Sequence, residues 1–315
     1  MTVSNTMEAA SLLPRRAPES SGPESGSIHA SQQPVLDRRA RVLLGWLDDL
    51  HAARILNAVQ AGEPLSNDQQ LKVGAARAAV RARPSGAPQG DLVRPIGSTL
   101  DEYLELLRQS PLAQPYFVEG WEVALVDLPR VYGVQPHVFI DHADDRVRDI
   151  DLDDVVSVAQ VTLPMAASTE FTQQFDMQQK AFIISSANPN LRVVGAGAVA
   201  AQDGLPGAVM LGFQVALMAS YVQVAEVQGR FFLRDGYHRA LGLIRRGLRY
   251  APVLVRRGLP LAALIPVPAA MLAYERYMGD HPPFLADYLN ESVAIEARVT
   301  AAHKVVVVQA IELGG

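Results

Sequence analysis

Hydrophobic and polar positions change period several times along the chain, and each change predicts an element. Between Val222 and Val227 apolar residues alternate with polar or small ones, as in a strand with two unlike faces. Gln228-Gly229 then supplies the positive-φ position of a tight hairpin turn, and a second strand returns from Arg230 to Arg234. Behind Gly236, the residues Leu241, Leu243, Ile244 and Leu248 fall at helical spacing. A helix is therefore expected from near Tyr237 to a stop at Gly247, followed by a third strand ending at Leu254-Val255.

Upstream, Val42, Leu43, Trp46, Leu47, Leu50, Ile55, Leu56 and Val59 predict an amphipathic helix or helix pair between Leu36 and about Ala61. A further helix is expected from Ser66 to Arg81, a linker over residues 83–90, and a short capped helix from Ser98 to Leu107. Trp121–Asp127 and Val134–Ile140 read as strands. The charged stretch from Asp141 to Asp154 reads as a solvated loop with an acidic helix start at Asp151. Near the C-terminus, a helix is expected from Met271 to Tyr277, and the apolar run from Lys304 to Leu313 suits a buried strand that closes either the central sheet or a dimer sheet. Residues 1–35, rich in Ser, Pro, Gly and Gln, show no apolar period and are expected to form a mobile tail. The fold class is mixed α/β (α+β), with a helical region over 36–110, an α/β core over 111–258 and a C-terminal extension over 259–315.

Composition narrows the functions. With 49% hydrophobic and 19% charged residues, the 315-residue chain can bury a full core of one large or two small domains. A net charge of −5 argues against a general nucleic-acid coat, which needs a basic face to neutralise phosphates. Positive charge is nevertheless concentrated between Arg230 and Arg257, where eight arginines face the single acid Asp235. The absence of cysteine excludes disulfides, thiolate metal sites and thiol nucleophiles. No run of about 18 apolar residues and no signal-peptide pattern is present, so a cytoplasmic protein without a membrane partner is expected.

Several chemistries find no support. No Gly-x-Ser-x-Gly elbow occurs, and no two histidines have the His-x-x-x-His spacing of a zinc helix. Gly195-Ala-Gly197-Ala-Val-Ala200 matches a dinucleotide fingerprint, but Pro206-Gly207 interrupts the helix that should follow, and a flexible loop is the ordinary reading. The acidic stretch 142–154 lacks the central Gly and closing Glu of a Ca²⁺ loop.

Asp235-Gly236-Tyr237-His238-Arg239 carries the strongest signal. It places His238 and Arg239 in a first helical turn, where free N–H groups and the helix dipole favour an anion, and where an imidazole and a guanidinium add donors that suit phosphate. A neighbouring cation and the dipole should push His238 below its usual pKa. Asp235 has two readings, an N-cap or a ligand of nucleotide-bound Mg²⁺, and Tyr237 either stacks on a base or packs. Glu119, Asp127 and Gln135 flank the first strands and are more remote candidates.

At these residues the chain resembles the ParB/sulfiredoxin-like superfamily, whose members share a strand, a Gly-x-(His/Arg)-Arg turn, a helix and another strand; the likeness covers residues 222–257. The spelling is similar to the Asp-Gly-Gln-His-Arg of DndB-like proteins. The resemblance implies a ParB/sulfiredoxin-like core with a small mixed sheet, and phosphate contacts for Gly236, His238 and Arg239. It departs from the superfamily's enzymes, because the sulfiredoxin thiol is missing and Tyr237 stands where ParB-type CTPases carry an acid. The ligand expected is a phosphorylated small molecule, with a nucleoside triphosphate and Mg²⁺ as the candidate, and hydrolysis or phosphoryl transfer is one version of that reading. The alternatives are a non-catalytic DNA-linked regulator contacting DNA through Arg245, Arg246 and Arg249, and a structural subunit without a ligand. A homodimer is compatible with each.

Overall fold

The computed structural model describes residues 37–57, 63–85, 91–166, 171–178, 181–186, 191–199, 210–217, 220–264, 271–301 and 304–309. The tail expected at 1–35 and most of the linker expected at 83–90 lie outside these residues. The first described element is a strand, β1 (Asp37–Val42), where helical spacing predicted a helix. It is followed by α1 (Asp49–Leu56), where Asp48 accepts from the His51 N–H, and by α2 (Asn67–Arg81), opened by a Ser66–Gln69 capping box. Next come β2 (Val93–Arg94), α3 (Asp101–Gln109), α4 (Gln114–Val118), β3 (Glu122–Asp127) and β4 (His137–Phe139). No side chain caps α3; Ser98 opens a 3-10 turn instead.

The charged stretch expected as a loop contains a helix, α5 (Ile140–Val147), because Ile140, Ala143 and Val147 form a buried stripe at helical spacing. The next helix, α6 (Val155–Thr162), starts at Asp154 rather than Asp151, and the Asp154 carboxylate accepts from the N–H groups of Val156 and Ser157. Four strands follow: β5 (Thr172–Asp176), β6 (Ala181–Ser186), β7 (Leu191–Val199) and β8 (Met210–Leu217). Gly195 to Val199 thus belong to a strand paired with β8, which corrects the loop reading at those positions.

The hairpin and helix around residue 236 form as the sequence predicts. They are β9 (Gln223–Val227), β10 (Arg230–Asp235), α7 (Tyr237–Arg245) and β11 (Tyr250–Arg256), with positive φ at Gln228 and Gly229 in the turn and at Gly247 after the helix. The chain continues through α8 (Leu261–Leu264), α9 (Tyr274–Tyr277), β12 (Ile295–Thr300) and β13 (Lys304–Gln309). Among the described residues, no helix is long and apolar enough to cross a membrane.

Sheet pairing makes this a mixed α/β protein. The central sheet has the order β10-β9-β11-β3-β2, in which β11 runs parallel to β9 and every other pair is antiparallel. A second sheet, β12-β1-β4, joins the N-terminal and C-terminal regions, and it explains why β1 is not helical: its partners are remote in sequence, and both its edges are used. β13 pairs with β6 in a third sheet, β13-β6-β5, so it does not close the central one.

The principal core lies between the central sheet and the helices that cover it, with Val224, Phe232, Leu233, Leu241, Val253 and Leu254 almost fully enclosed. α7 lies against α5 so closely that a Cβ on Gly242 would fall within the contact radius of the Ala143 carbonyl. Gly242→Ala is therefore expected to lower stability by about 1–3 kcal/mol through overpacking. Gly74→Ala, on an exposed part of α2 with open space around it, should instead raise stability by about 0.5–1 kcal/mol. Urea denaturation of the two variants checks both signs.

Candidate functional site

The turn between β10 and α7 depends on a glycine for two reasons. Gly236 has φ of +89°, and a Cβ there would lie 2.8 Å from the Cα of Val222, which passes beneath it. This crossing sets the α7 start directly over the segment that enters β9. The Asp235 carboxylate fixes the turn from the other side: Oδ1 accepts from the Gly236 N–H at 2.6 Å and Oδ2 from the Ser220 hydroxyl at 3.1 Å. Asp235 is therefore not an N-cap, and no side chain caps the first turn of α7.

Arg239 projects from that turn into the protein and is only 9% exposed. Its Nη1 donates to the carbonyls of Val161, at 3.0 Å, and Ser220, while Nη2 donates to the Ser220 hydroxyl at 2.6 Å. Ser220 Oγ thus accepts from Arg239 and donates to Asp235, linking cation and carboxylate that do not touch. Burial pushes the Arg239 pKa down to about 10, with the Asp235 charge acting in the opposite direction, so the guanidinium stays charged at neutral pH.

Tyr237 and His238 face other groups. The Tyr237 hydroxyl donates to the Leu233 carbonyl at 2.7 Å and accepts from the Val134 N–H at 2.8 Å, which makes it a core residue and not a platform for a base. Its burial raises the phenol pKa strongly. The His238 ring stacks on Phe139, with centroids 6.0 Å apart and planes 4° apart, and meets His142 edge-on at 5.3 Å. Its Nε2 is buried without a hydrogen-bond partner among the described residues. Burial first, then the positive fields of His142, Arg146, His137 and Arg239, push His238 down to about 3. The direction matches the expectation; the main cause is enclosure rather than the neighbouring cation.

The remaining candidates have other employment. Glu119 lies 3.5 Å from Arg256, Asp127 is fully enclosed and accepts from Arg249 at 2.7 Å, and Gln135 offers its backbone carbonyl to Tyr288. Of the three, only Gln135 approaches residues 235–239, through its backbone at the Tyr237 hydroxyl. Arg245 forms a two-pronged pair with Asp144, and Arg246 donates to the Val147 and Ile150 carbonyls at the end of α5. Those two arginines and Arg249 fasten the C-terminal end of α7 to its neighbours. No group of three acidic or histidine side chains placed to hold a metal ion occurs among the described residues.

Several site residues carry no signal in the sequence. Ser220 lies fifteen positions before Asp235 and shows no motif, yet it joins Asp235 to Arg239. Next to it, the Tyr221 hydroxyl is buried without a described partner, and its ring meets Tyr116 edge-on at 5.0 Å. Arg234 reaches back to the Gln223 side chain and lies over Trp121 at 5.6 Å. Compared with protein-family models, curated proteins and solved structures, the chain matches none.

The histidine shift gives a stability prediction. His238 is neutral in the folded state down to about pH 3, whereas in the unfolded chain it takes up a proton below about 6.5. Stability from this group is therefore complete above pH 6.5 and is lost progressively as the pH falls toward 3. At pH 5 the loss should be about 1–2 kcal/mol relative to pH 7. His238→Phe, which keeps a ring beside Phe139 without a proton site, should flatten that part of the profile in denaturation measured at both pH values.

Proposed function

We propose that the start of α7 binds a phosphorylated small molecule, with a nucleoside triphosphate and Mg²⁺ as the candidate ligand. The observation that carries this reading is the buried Arg239 cation beside an uncapped helix start, its described hydrogen bonds all going to neutral oxygens. A charge removed from water is costly unless a counter-charge approaches it, and Asp235 acts on Arg239 by its field and through Ser220 without a direct hydrogen bond. Phosphate oxygens near the N–H groups of Tyr237, His238 and Arg239 would meet both the helix dipole and the guanidinium field. The resemblance of residues 222–257 to ParB/sulfiredoxin-like proteins supports the same ligand class. Asp235 is the carboxylate at this turn, which suits a Mg²⁺ ion held mainly by phosphate oxygens and water.

The reading is one of binding rather than turnover. Both Asp235 oxygens already accept hydrogen bonds, and His238 Nε2 is enclosed in the cluster with Phe139 and His142. Neither is poised to take a proton from water.

Thermal-shift titration of nucleoside triphosphates with Mg²⁺ tests the proposal, since a ligand at a hundredfold excess over its Kd stabilises the folded state by about 2.7 kcal/mol. The wild type should respond to at least one nucleotide, and phosphorus NMR should find that nucleotide intact. Arg239→Lys keeps a cation but loses the planar fork, and should weaken binding by roughly tenfold or more. No response to any nucleotide, or equal binding by Arg239→Lys with circular dichroism unchanged, would refute the assignment.

A further inference from the structure

The link between Arg239 and Asp235 runs through one hydroxyl. Ser220 Oγ accepts from Arg239 Nη2 at 2.6 Å and donates to Asp235 Oδ2 at 3.1 Å, while Asp235 Oδ1 is held by the Gly236 N–H at 2.6 Å. An arginine and an aspartate this near each other ordinarily pair directly, as Arg83 does with Asp287 and Arg249 with Asp127 in the same chain. At the start of α7 a serine oxygen stands in the way.

The backbone fixes the serine there. Its own carbonyl accepts from Arg239 Nη1, Tyr221 after it is fully enclosed, and the Val222 N–H donates to the Thr162 carbonyl at 2.8 Å. Val222 also passes beneath Gly236, where a Cβ would find no room. The segment that carries Ser220 is thus pinned on both sides of the turn, and its side chain is set between the two charges.

The consequence falls on an incoming anion. Among the described residues, the charges that act on Arg239 are Asp235, which favours the cation, and Arg146, which opposes it. A carboxylate in direct contact would cancel most of the guanidinium field and take up the N–H groups facing it; one held a hydroxyl away leaves much of that field in place.

We infer that Ser220 is the positioning residue of the α7 anion site, its hydroxyl holding Asp235 off Arg239 so that the guanidinium keeps its attraction for phosphate. The inference rests on the reading of that site as phosphate-binding. Ser220 acts through the pair it separates and needs no contact with the ligand. Without its hydroxyl, Arg239 Nη2 loses its described acceptor and Asp235 Oδ2 its described side-chain donor, which leaves two groups of opposite charge facing a vacated position. They satisfy each other by closing into a direct ion pair, and the site loses its excess positive charge.

Calorimetric titration of the full chain with inorganic triphosphate, without Mg²⁺, tests this. Ser220→Ala should weaken binding by roughly tenfold or more, whereas Ser220→Thr, which keeps the hydroxyl, should stay within about threefold of the wild type. Combining Ser220→Ala with Asp235→Asn separates positioning from a merely structural role. With no carboxylate to close on Arg239, the double variant should recover at least the wild-type affinity, although it lacks the same serine hydrogen bonds. Circular dichroism checks that each variant is folded, and Ser220→Gly, which deletes the same hydroxyl, takes the place of an alanine variant that is not. A wild type that binds triphosphate while Ser220→Ala binds it equally well overturns this inference and leaves the phosphate reading standing. A double variant as weak as Ser220→Ala does the same. A wild type that binds no triphosphate overturns the phosphate reading, and this inference with it.

Discussion

A guanidinium enclosed by protein must find an oxygen for its donors, and the satisfaction of Arg239 organises the whole turn between β10 and α7. Its bonds to the Val161 and Ser220 carbonyls draw the end of α6 and the entry to β9 against the first turn of α7. The same segment then passes under Gly236, where no side chain would fit, and hands its Val222 carbonyl to Leu254 of β11. Asp235 completes the arrangement through Ser220 without touching the cation. Removing Arg239 would leave several part-buried acceptors without partners, so its structural role and the proposed ligand-binding role are coupled.

That coupling explains how one short motif contains residues with such different surroundings. Gly236 serves backbone geometry, and Tyr237 holds the strand to the Val134 segment. His238 fills an aromatic cluster, and Arg239 supplies a charge inside the protein. What remains is the backbone of a helix start that no side chain caps, with a cation behind it. The arm of β5 to β8 and β13 follows a different logic. Among the described residues its own small cluster encloses Ile184, Leu191 and Leu217, apart from the principal core.

The hairpin, α7 and β11 were legible in the sequence because their signals are local: alternation, a Gln228-Gly229 turn, helical spacing and a glycine stop. The fold class was legible for the same reason. β1 was not, because Val42, Leu43, Trp46 and Leu47 fit a helical stripe while the deciding hydrogen bonds come from β12 and β4, far away in sequence. α5 was hidden by its charges, although Ile140, Ala143 and Val147 carried a stripe that a count of periodic positions would have found. Of the two readings of Asp235, the cap fails because the spacing alone does not reveal Ser220, whose hydroxyl meets that carboxylate only after the chain has folded. The arginines at 245, 246 and 249 formed a basic strip in the sequence, and tertiary structure turned them to Asp144, the Val147 and Ile150 carbonyls and Asp127.

The central claim is that a buried cation and a free helix start form one anion site. The most direct measurement follows the backbone amide resonances of isotope-labelled protein as inorganic triphosphate is added. The account predicts saturable shifts at Tyr237, His238 and Arg239 that exceed those elsewhere in the chain. Shifts confined to other surfaces, or none at these three amides while the anion binds, would contradict it.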